Sequence, residues 1–274
     1  MNSSHQSDIA PDTSAYGPLL IIGGHEAKEG GCEILCQVVQ HAGGGKIVVV
    51  TAASQEPDSE FDTYLKAFQR LGACDVRELR IELRAEALRP AACLEGAAAI
   101  FFSGGDQVRL SSVLGSTPVL ESIQTLWANG CLIAGTSAGA SIMSEIMIIG
   151  GESETSCRSE TPLQMGAGFG FVGGVIIDQH FSQRGRFGRL LSAVAYNPAC
   201  LGIGIDEDTA AFISNGTCLT VSGSGAVYIL DGRSSTYSNV GSSAATSIVS
   251  ISDVIVHSLC SGDTFDLRNS KRRL

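Results

Sequence analysis

The residues Leu132-Ile133-Ala134-Gly135-Thr136-Ser137-Ala138-Gly139-Ala140 combine a strand signal, a sharp turn and the start of a helix. The apolar run at the beginning of this stretch predicts a short strand that is buried on both faces. Gly-x-Ser-x-Gly follows at positions 135–139, and Ser141–Ile146 is predicted to be helical. Strand, tight turn and helix are the context of a nucleophile elbow, which presents a serine hydroxyl at the carboxyl edge of a sheet. The alternative interpretation is a helix start whose small residues pack closely on a strand.

Similar apolar runs recur along the first half of the chain, each ending in or followed by glycine, serine or threonine. They are Leu19–Ile22, Lys46–Thr51, Ala98–Phe102 and Cys131–Ala134. Segments of helical periodicity lie between them, at Cys32–Gln40, Ser59–Leu71 and Val119–Trp127. This alternation predicts a flavodoxin-like α/β fold, in which helices cover a mostly parallel central sheet.

After residue 200 the pattern changes to short β-type runs, divided by Asn-Gly, Ser-Gly-Ser-Gly and Asp-Gly turns. The runs are Leu201–Asp206, Ala210–Ile213, Cys218–Val221, Ala226–Leu230 and Ser247–His257. They predict antiparallel β-hairpins appended to the main sheet. The polar segment 1–16 is predicted to be a disordered leader. Because no linker or repeat interrupts the rest, residues 17–274 are predicted to form a single domain.

The composition excludes several classes of function. The 274 residues include 18 Lys and Arg against 28 Asp and Glu, which gives a net charge of −10 and an isoelectric point near 4.9. So acidic a chain is a poor partner for nucleic acid or an anionic membrane, which require a basic surface. No apolar stretch reaches the roughly 18 residues that cross a bilayer. Nine scattered cysteines without a CxxC pair argue against a zinc ribbon and predict a reduced, cytoplasmic protein.

A nucleophilic serine needs a base, and His180 is the best placed of the five histidines. It follows the predicted strand 174–178, which runs into Gln179 and His180 at the edge where open α/β sheets place their functional residues. A structural histidine is the alternative. The acids of Asp206–Asp208 follow another predicted strand, and any of the three could orient the imidazole. Their spacing does not choose among them.

Two glycine pairs, at 23–24 and 104–105, also follow predicted strands. Glycine allows a backbone to approach a ligand closely, and either pair could supply an amide to an oxyanion. The amide of Ala138, at the predicted helix N-terminus, is the other candidate donor. Neither pair belongs to a Walker A or a GxGxxG motif, so nucleotide binding is only weakly supported.

Residues 182–189 read Ser-Gln-Arg-Gly-Arg-Phe-Gly-Arg. Three arginines within six residues reverse the sign of the charge locally in this acidic chain. Planar guanidinium groups suit carboxylates and phosphates, so Arg184, Arg186 and Arg189 are candidate ligands for an anion. A solvated basic helix face is the alternative interpretation.

Taken together, these motifs resemble the cyanophycinase family of serine peptidases, related to the peptidase E type within the class I glutamine amidotransferase-like fold. The resemblance covers Gly17–Leu267. It rests on IIGGHEAKEG at 21–30, FFSGGDQVRL at 101–110, IAGTSAGAS at 133–141, IIDQHFSQRGRFGRLLSAVAYNP at 176–198, GIGIDEDTA at 202–210 and SGAVYILDG at 224–232. Peptidase E relatives share the serine elbow but lack the arginine run. Since position 137 is serine, the cysteine chemistry of the glutamine amidotransferases is not expected.

The resemblance implies a serine exopeptidase that acts on cyanophycin, a poly-aspartate chain with arginine linked to each β-carboxyl, and releases β-Asp-Arg dipeptides. It implies Ser137 as the nucleophile, His180 as the general base and acid, and Glu207 as the orienting carboxylate. The amides of Ala138 and Gly105 would form the oxyanion hole. Substrate contacts are implied for Gln107, Asp178, Gln179, Arg184, Arg186 and Arg189. The resemblance also implies a homodimer, and neither a metal nor an organic cofactor.

Two other functions stay open at this point. One is an α-aspartyl or isoaspartyl dipeptidase of the peptidase E type, and the other is a non-catalytic binder of ligands rich in aspartate or arginine. The segment Gly151–Gly168 matches the family least closely and is expected to be a loop near the mouth of the pocket.

Overall fold

A computed structural model describes residues 16–151, 163–241 and 248–273. The predicted disordered leader, 1–16, therefore lies outside the described residues except for Tyr16, whose ring stacks on that of Trp127. Within the described ranges, no helix is both long enough and apolar enough to cross a membrane.

The described strands and helices alternate through the first half of the chain, and strands dominate the second half. In chain order the strands are β1 (Leu19–Ile22), β2 (Lys46–Val50), β3 (Val76–Leu79), β4 (Ala97–Phe102), β5 (Leu132–Thr136), β6 (Ile146–Gly150), β7 (Gln164–Ala167), β8 (Val175–Gln179), β9 (Leu201–Ile205), β10 (Thr209–Ser214), β11 (Cys218–Gly223), β12 (Val227–Asp231), β13 (Tyr237–Ser238), β14 (Ile251–Ser252), β15 (Ile255–Leu259), β16 (Thr264–Asp266) and β17 (Lys271–Arg273). The α-helices are α1 (Glu33–Ala42), α2 (Pro57–Arg70), α3 (Arg84–Ala87), α4 (Gln107–Leu114), α5 (Pro118–Ala128), α6 (Ala138–Ser141) and α7 (Phe187–Tyr196), and Ala92–Leu94 forms a 3₁₀ turn.

A nine-stranded sheet, here called the large sheet, has the order β17-β16-β11-β10-β1-β5-β4-β2-β3. Strands β1, β5, β4, β2 and β3 are parallel, and β10, β11, β16 and β17 continue the sheet in antiparallel fashion. This arrangement confirms the predicted α/β class with a largely parallel central sheet. Because parallel strands begin and end together, the carboxyl ends of β1, β4 and β5 meet at one edge.

Alternate residues of β1 belong to two separate apolar cores. Leu20 shares one core with Leu35 of α1 and Phe68 of α2, which cover one face of the large sheet. Ile21 belongs to the other core, which also contains Ile203 of β9. The second face of the large sheet is therefore buried together with residues of another sheet, and both faces are closed to water.

That other sheet, here called the small sheet, has the order β15-β12-β9-β8, with β8 and β9 parallel. The predicted attachment of the hairpins to the main sheet is correct for β10 and β11, but wrong for β9, β12 and β15. The chain crosses from the small sheet to the large one over Asp206–Asp208, between β9 and β10. In the sequence these strands look like one series of hairpins. Their division between two sheets depends on strand pairing, which the sequence pattern does not specify.

The predicted helix Ser141–Ile146 is also wrong, because α6 ends at Ser141 and Ile146 begins β6. The Ser144 hydroxyl lies within hydrogen-bond distance of the carbonyl oxygens of Ser141 and Ile146, at 3.0 and 2.8 Å. A hydroxyl that binds nearby carbonyls competes with the helical pattern. Strand β7, which pairs with β6, lies inside the segment Gly151–Gly168 that was expected to be a loop. Residues 152–162 of that segment are outside the described ranges.

Candidate active site

Ser137 stands on the turn that joins β5 to α6. Its backbone has φ 53° and ψ −111°, a region that residues with side chains rarely adopt. Gly139, two residues on, packs against β4, since a methyl group on it would lie 2.3 Å from the carbonyl oxygen of Phe102. The glycine of the motif therefore permits the close approach of α6 to β4, and the strained turn brings Ser137 to the sheet edge.

His180 follows β8, and its backbone N–H donates to the carbonyl oxygen of Gly23 at 2.8 Å. The imidazole Nε2 lies 2.9 Å from Ser137 Oγ. The ring packs directly on Gly24, because a methyl group there would lie 2.3 Å from its Cε1 atom. The glycine pair after β1 thus positions His180 and its imidazole. The sequence did not predict this role.

Glu207 is the one of the three acids after β9 whose carboxylate reaches His180. Its Oε1 lies 2.6 Å from the imidazole Nδ1. Asp206 and Asp208 instead accept hydrogen bonds from backbone amides and serine hydroxyls of other loops. With Glu207 as acceptor, the neutral imidazole carries its proton on Nδ1 and leaves Nε2 free to accept the serine proton.

The surroundings of His180 favour the neutral imidazole. Burial lowers its pKa below the ordinary value, and the hydrogen bond to Glu207 acts in the opposite direction. The nearby positive charge of Arg184 adds to the lowering. A neutral imidazole beside a serine hydroxyl is the state from which general-base catalysis starts.

The backbone N–H groups of Ala138 and Gly105 have no hydrogen-bond acceptor among the described residues. Ala138 is the first residue of α6, so its N–H has no acceptor within the helix. Gly105 follows β4 with φ 137° and lines the same cavity as Ser137. The N–H of its neighbour Gly104 interacts with the Glu60 carboxylate, which lies beside it. Of this glycine pair, Gly105 is therefore the one with a free amide.

The three arginines of the run 184–189 have different partners. Arg186 and Arg189 both bind the carboxylate of Asp178, which is 1% exposed; Arg189 Nε lies 2.9 Å from Oδ2 and Arg186 Nη1 lies 3.3 Å from Oδ1. Burial lowers the pKa of Arg186 to about 10. Of the three arginines, only Arg184 lines the cavity beside Ser137.

Asp178, Arg186 and Arg189 were predicted to contact the substrate, and the structure pairs their side chains with one another. The substrate contact stays a prediction. The carboxylate balances one of the two positive charges inside the protein, and the three side chains tie the start of α7 to the end of β8. Sequence spacing could not reveal this, because a strand end and a helix start 8 to 11 residues apart can meet each other or a ligand equally well.

The two predicted glutamines also have partners within the protein. The Gln179 side-chain oxygen accepts from Arg186 at 3.0 Å and lies 3.5 Å from Ser137 Oγ. Gln107 begins α4, and its side-chain nitrogen donates to the carbonyl oxygen of Ile148 in β6 at 3.1 Å. Gln179 is thus adjacent to the serine, whereas the amide group of Gln107 connects α4 to β6.

A cavity of about 890 Å³ opens beside Ser137 and His180. Its described lining includes acidic and basic side chains that the sequence analysis did not select: Glu26, Lys28, Glu56, Glu60 and Asp106. Glu26 and Lys28 come directly after the glycine pair at 23–24, a position that could have identified them. No strand end or glycine pair in the sequence marks Glu60, which reaches the cavity from the first turn of α2.

His25 lies at the rim of the same cavity, with its ring edge-on to that of His180 at 5.2 Å between centroids. Its Nδ1 is 3.6 Å from the second carboxylate oxygen of Glu207. The side chains of His25, His180 and Glu207 could therefore contribute ligands to a metal ion. Such an ion would compete with the hydrogen bonds from His180 to Ser137 and Glu207.

Comparison with known proteins places this site in a class. Residues 19–221 match the model of peptidase family S51. A cyanophycinase from Trichormus variabilis is 41% identical over 255 residues, which cover 91% of this chain and 85% of the relative. A cyanophycinase from Geminocystis herdmanii is 39% identical over 254 residues, covering 90% of this chain and 93% of the relative. The chain belongs to the serine peptidases of family S51.

Two solved structures share the fold. A peptidase from an acI-B1 actinobacterium superposes with a TM-score of 0.67 at 24% identity, over 92% of this chain and 97% of that one. A peptidase E–type protein from Listeria monocytogenes superposes with a TM-score of 0.52 at 20% identity, over 77% of this chain and all of that one. The predicted relation to the peptidase E fold is confirmed.

Proposed function

We propose that this S51 peptidase is a cyanophycinase, which hydrolyses multi-L-arginyl-poly-L-aspartate and releases β-Asp-Arg dipeptides. The observation that carries the proposal is the hydrogen-bonded chain from Ser137 through His180 to Glu207 at the edge of the cavity. The identity of about 40% to proteins named cyanophycinase, over nine-tenths of the chain, supports the choice of substrate.

The proposed reaction is acyl transfer through a covalent intermediate. His180 Nε2 takes the proton from Ser137 Oγ while the oxygen attacks the carbonyl carbon of a backbone peptide bond. The amides of Ala138 and Gly105 donate to the resulting oxyanion. His180 then gives its proton to the leaving amine, and water, activated by the same imidazole, releases the acyl group. Glu207 holds the imidazole in the required tautomer and stabilises its positive charge.

The cavity suits a substrate that carries charges of both signs. Each residue of the polymer bears a guanidinium group and the free carboxylate of its linked arginine. Arg184 lines the cavity and is available to a carboxylate, whereas the acidic side chains of the lining attract the guanidinium groups. The net charge of −10 favours approach of the polycationic part of the polymer.

The test is the clearing of a cyanophycin suspension, with mass analysis of the soluble product. The wild type is expected to clear the suspension and release β-Asp-Arg, and Ser137→Ala is expected to lose at least about 10³-fold in rate. Ser59→Ala, which alters an exposed serine on the same cavity wall, serves as the control. A folded wild type that leaves cyanophycin intact but cleaves Asp-X dipeptides would overturn the substrate. Equal activity of Ser137→Ala would overturn the mechanism.

We also propose that the protein is a homodimer and works in the cytoplasm. The family resemblance supports the dimer, and the free state of the cysteines in the described part of the chain supports a reducing compartment. Light scattering on the purified protein would contradict the first proposal by giving a monomer mass. Fractionation of the source cells, followed by immunoblotting, tests the second.

A further inference from the structure

The guanidinium groups of the proposed substrate require a partner other than Asp178. That carboxylate is buried and binds both Arg186 and Arg189. The structure offers a different carboxylate near the nucleophile. Glu60, in the first turn of α2, lines the cavity beside Ser137 and is half-buried.

Gly104 lies beside both Glu60 and the nucleophile. A methyl group on Gly104 would lie 4.0 Å from Glu60 Oε1 and 3.8 Å from Ser137 Cβ. The carboxylate and the serine therefore both lie near the same point beside Gly104, whose neighbour Gly105 has a free amide. A side chain attached beside a scissile bond at Ser137 can reach Glu60 without leaving the cavity.

The neighbouring carboxylate of Glu26 already has its partners. It accepts hydrogen bonds from the hydroxyls of Tyr64 and Thr136, both at 2.6 Å, and from Lys28 Nζ at 3.2 Å. Lys28 also lies over the Tyr64 ring, 5.0 Å from its centroid. Glu26 therefore already has a cation and two hydroxyl donors within the protein, and its role is structural.

Glu60, in contrast, forms no ion pair among the described residues, and its carboxylate faces the backbone of Gly104. Burial raises its pKa, the negative charge of Glu26 acts in the same direction, and Lys28 opposes both. A partly buried carboxylate with no cation of its own is stabilised when a guanidinium group binds it, since charged hydrogen bonds strengthen away from water.

We propose that Glu60 binds the guanidinium group of an arginine next to the scissile bond, and so selects arginine-bearing residues of the polymer. This inference rests on the proposed function. A planar guanidinium can give two parallel hydrogen bonds to a carboxylate, which neither a lysine ammonium nor a neutral urea group reproduces.

The test compares two soluble oligomers of poly-aspartate, one with β-linked arginine and one with β-linked citrulline, the neutral isostere of arginine. Glu60→Gln is expected to lower kcat/KM for the arginine oligomer by about 10- to 100-fold, the effect of one charged hydrogen-bond pair. For the citrulline oligomer the expected change is less than about threefold. Asp62→Asn, an exposed acid of the same helix, is the matched control and is expected to cleave both oligomers like the wild type.

Labelling of Ser137 by a phosphonate probe separates the inference from the function on which it rests. Glu60→Gln is expected to label at the wild-type rate, because its serine and histidine are unchanged. An equal loss on both oligomers, or no loss on either, overturns the role of Glu60 and leaves the peptidase intact. A wild type that labels but cleaves neither oligomer overturns the proposed substrate, and the role of Glu60 with it.

Discussion

His180 is the residue whose protonation controls the chemistry at the site. Burial lowers its pKa, so the neutral imidazole persists to a pH below the ordinary histidine value of about 6.5. Activity needs the neutral form, and it therefore rises with pH and is lost as pH falls through the lowered pKa. A profile of kcat/KM against pH on a soluble substrate is expected to show its acidic midpoint below 6.5. A midpoint above 6.5 would mean that Glu207 outweighs burial.

Gly24 is expected to be essential for activity, because its α-hydrogen faces the His180 ring. Gly24→Ala would place a methyl group 2.3 Å from Cε1 and displace the imidazole. A misplacement of about 1 Å costs about 100-fold in rate, and we expect at least that loss in kcat. Gly30→Ala is the matched control, since Gly30 also has positive φ but has no atom within 4 Å of the added methyl group. Similar losses in both variants would assign the effect to backbone strain.

The sequence predicted which residues lie at strand ends better than it predicted which side chains they contact. Ser137 and His180 follow apolar strands, and parallel strands bring such positions to one edge. The partners of Asp178 could not be predicted, because nothing in its spacing distinguishes pairing with Arg186 and Arg189 from binding a ligand. Glu60 could not be found at all, since its approach to the serine depends on how α2 packs.

At the scale of elements, apolar periodicity located three of the described helices to within two residues at either end. The predicted segments 32–40, 59–71 and 119–127 correspond to α1, α2 and α5. The ribbon of β6 and β7 was missed, because an apolar run directly after a predicted helix start reads as its continuation. The hydroxyl of Ser144, just after α6, contacts the carbonyl oxygens of Ser141 and Ile146, and hydrophobic periodicity does not predict such a local interaction.

Asp106, which lines the cavity, also caps the N-terminus of α4. Its Oδ1 accepts the backbone N–H groups of Val108 at 2.7 Å and Arg109 at 3.1 Å. Asp106→Ala is expected to lower the free energy of unfolding by about 1 kcal/mol, because two amides lose their acceptor. Asp106→Asn keeps an acceptor oxygen and is expected to retain most of the stability. Urea unfolding of both variants measures this, and equal losses would exclude capping as the cause.

At the scale of the whole molecule, Asp206 stabilises the point where the chain passes from the small sheet to the large one. Its buried carboxylate accepts the backbone N–H groups of Ser182 and Ala226, and the hydroxyl of Ser182. Asp206→Ala is expected to cost about 2–4 kcal/mol, because these donors are left buried without a partner. Asp62→Ala, at an exposed position, is expected to change stability by about 0.5 kcal/mol or less. Comparable urea midpoints for the two variants would contradict this role.

The division of the site between two sheets also has a consequence for the order in which the protein is made. Ser137 comes from the large sheet, whereas His180 and Glu207 come from the small one. A ribosome releases the serine first and the glutamate last, so a growing chain carries a serine without a base. The hydroxyl becomes reactive only when the second half of the chain has folded onto the first. A chain that ends before Glu207 therefore lacks the complete set of residues that activates the serine.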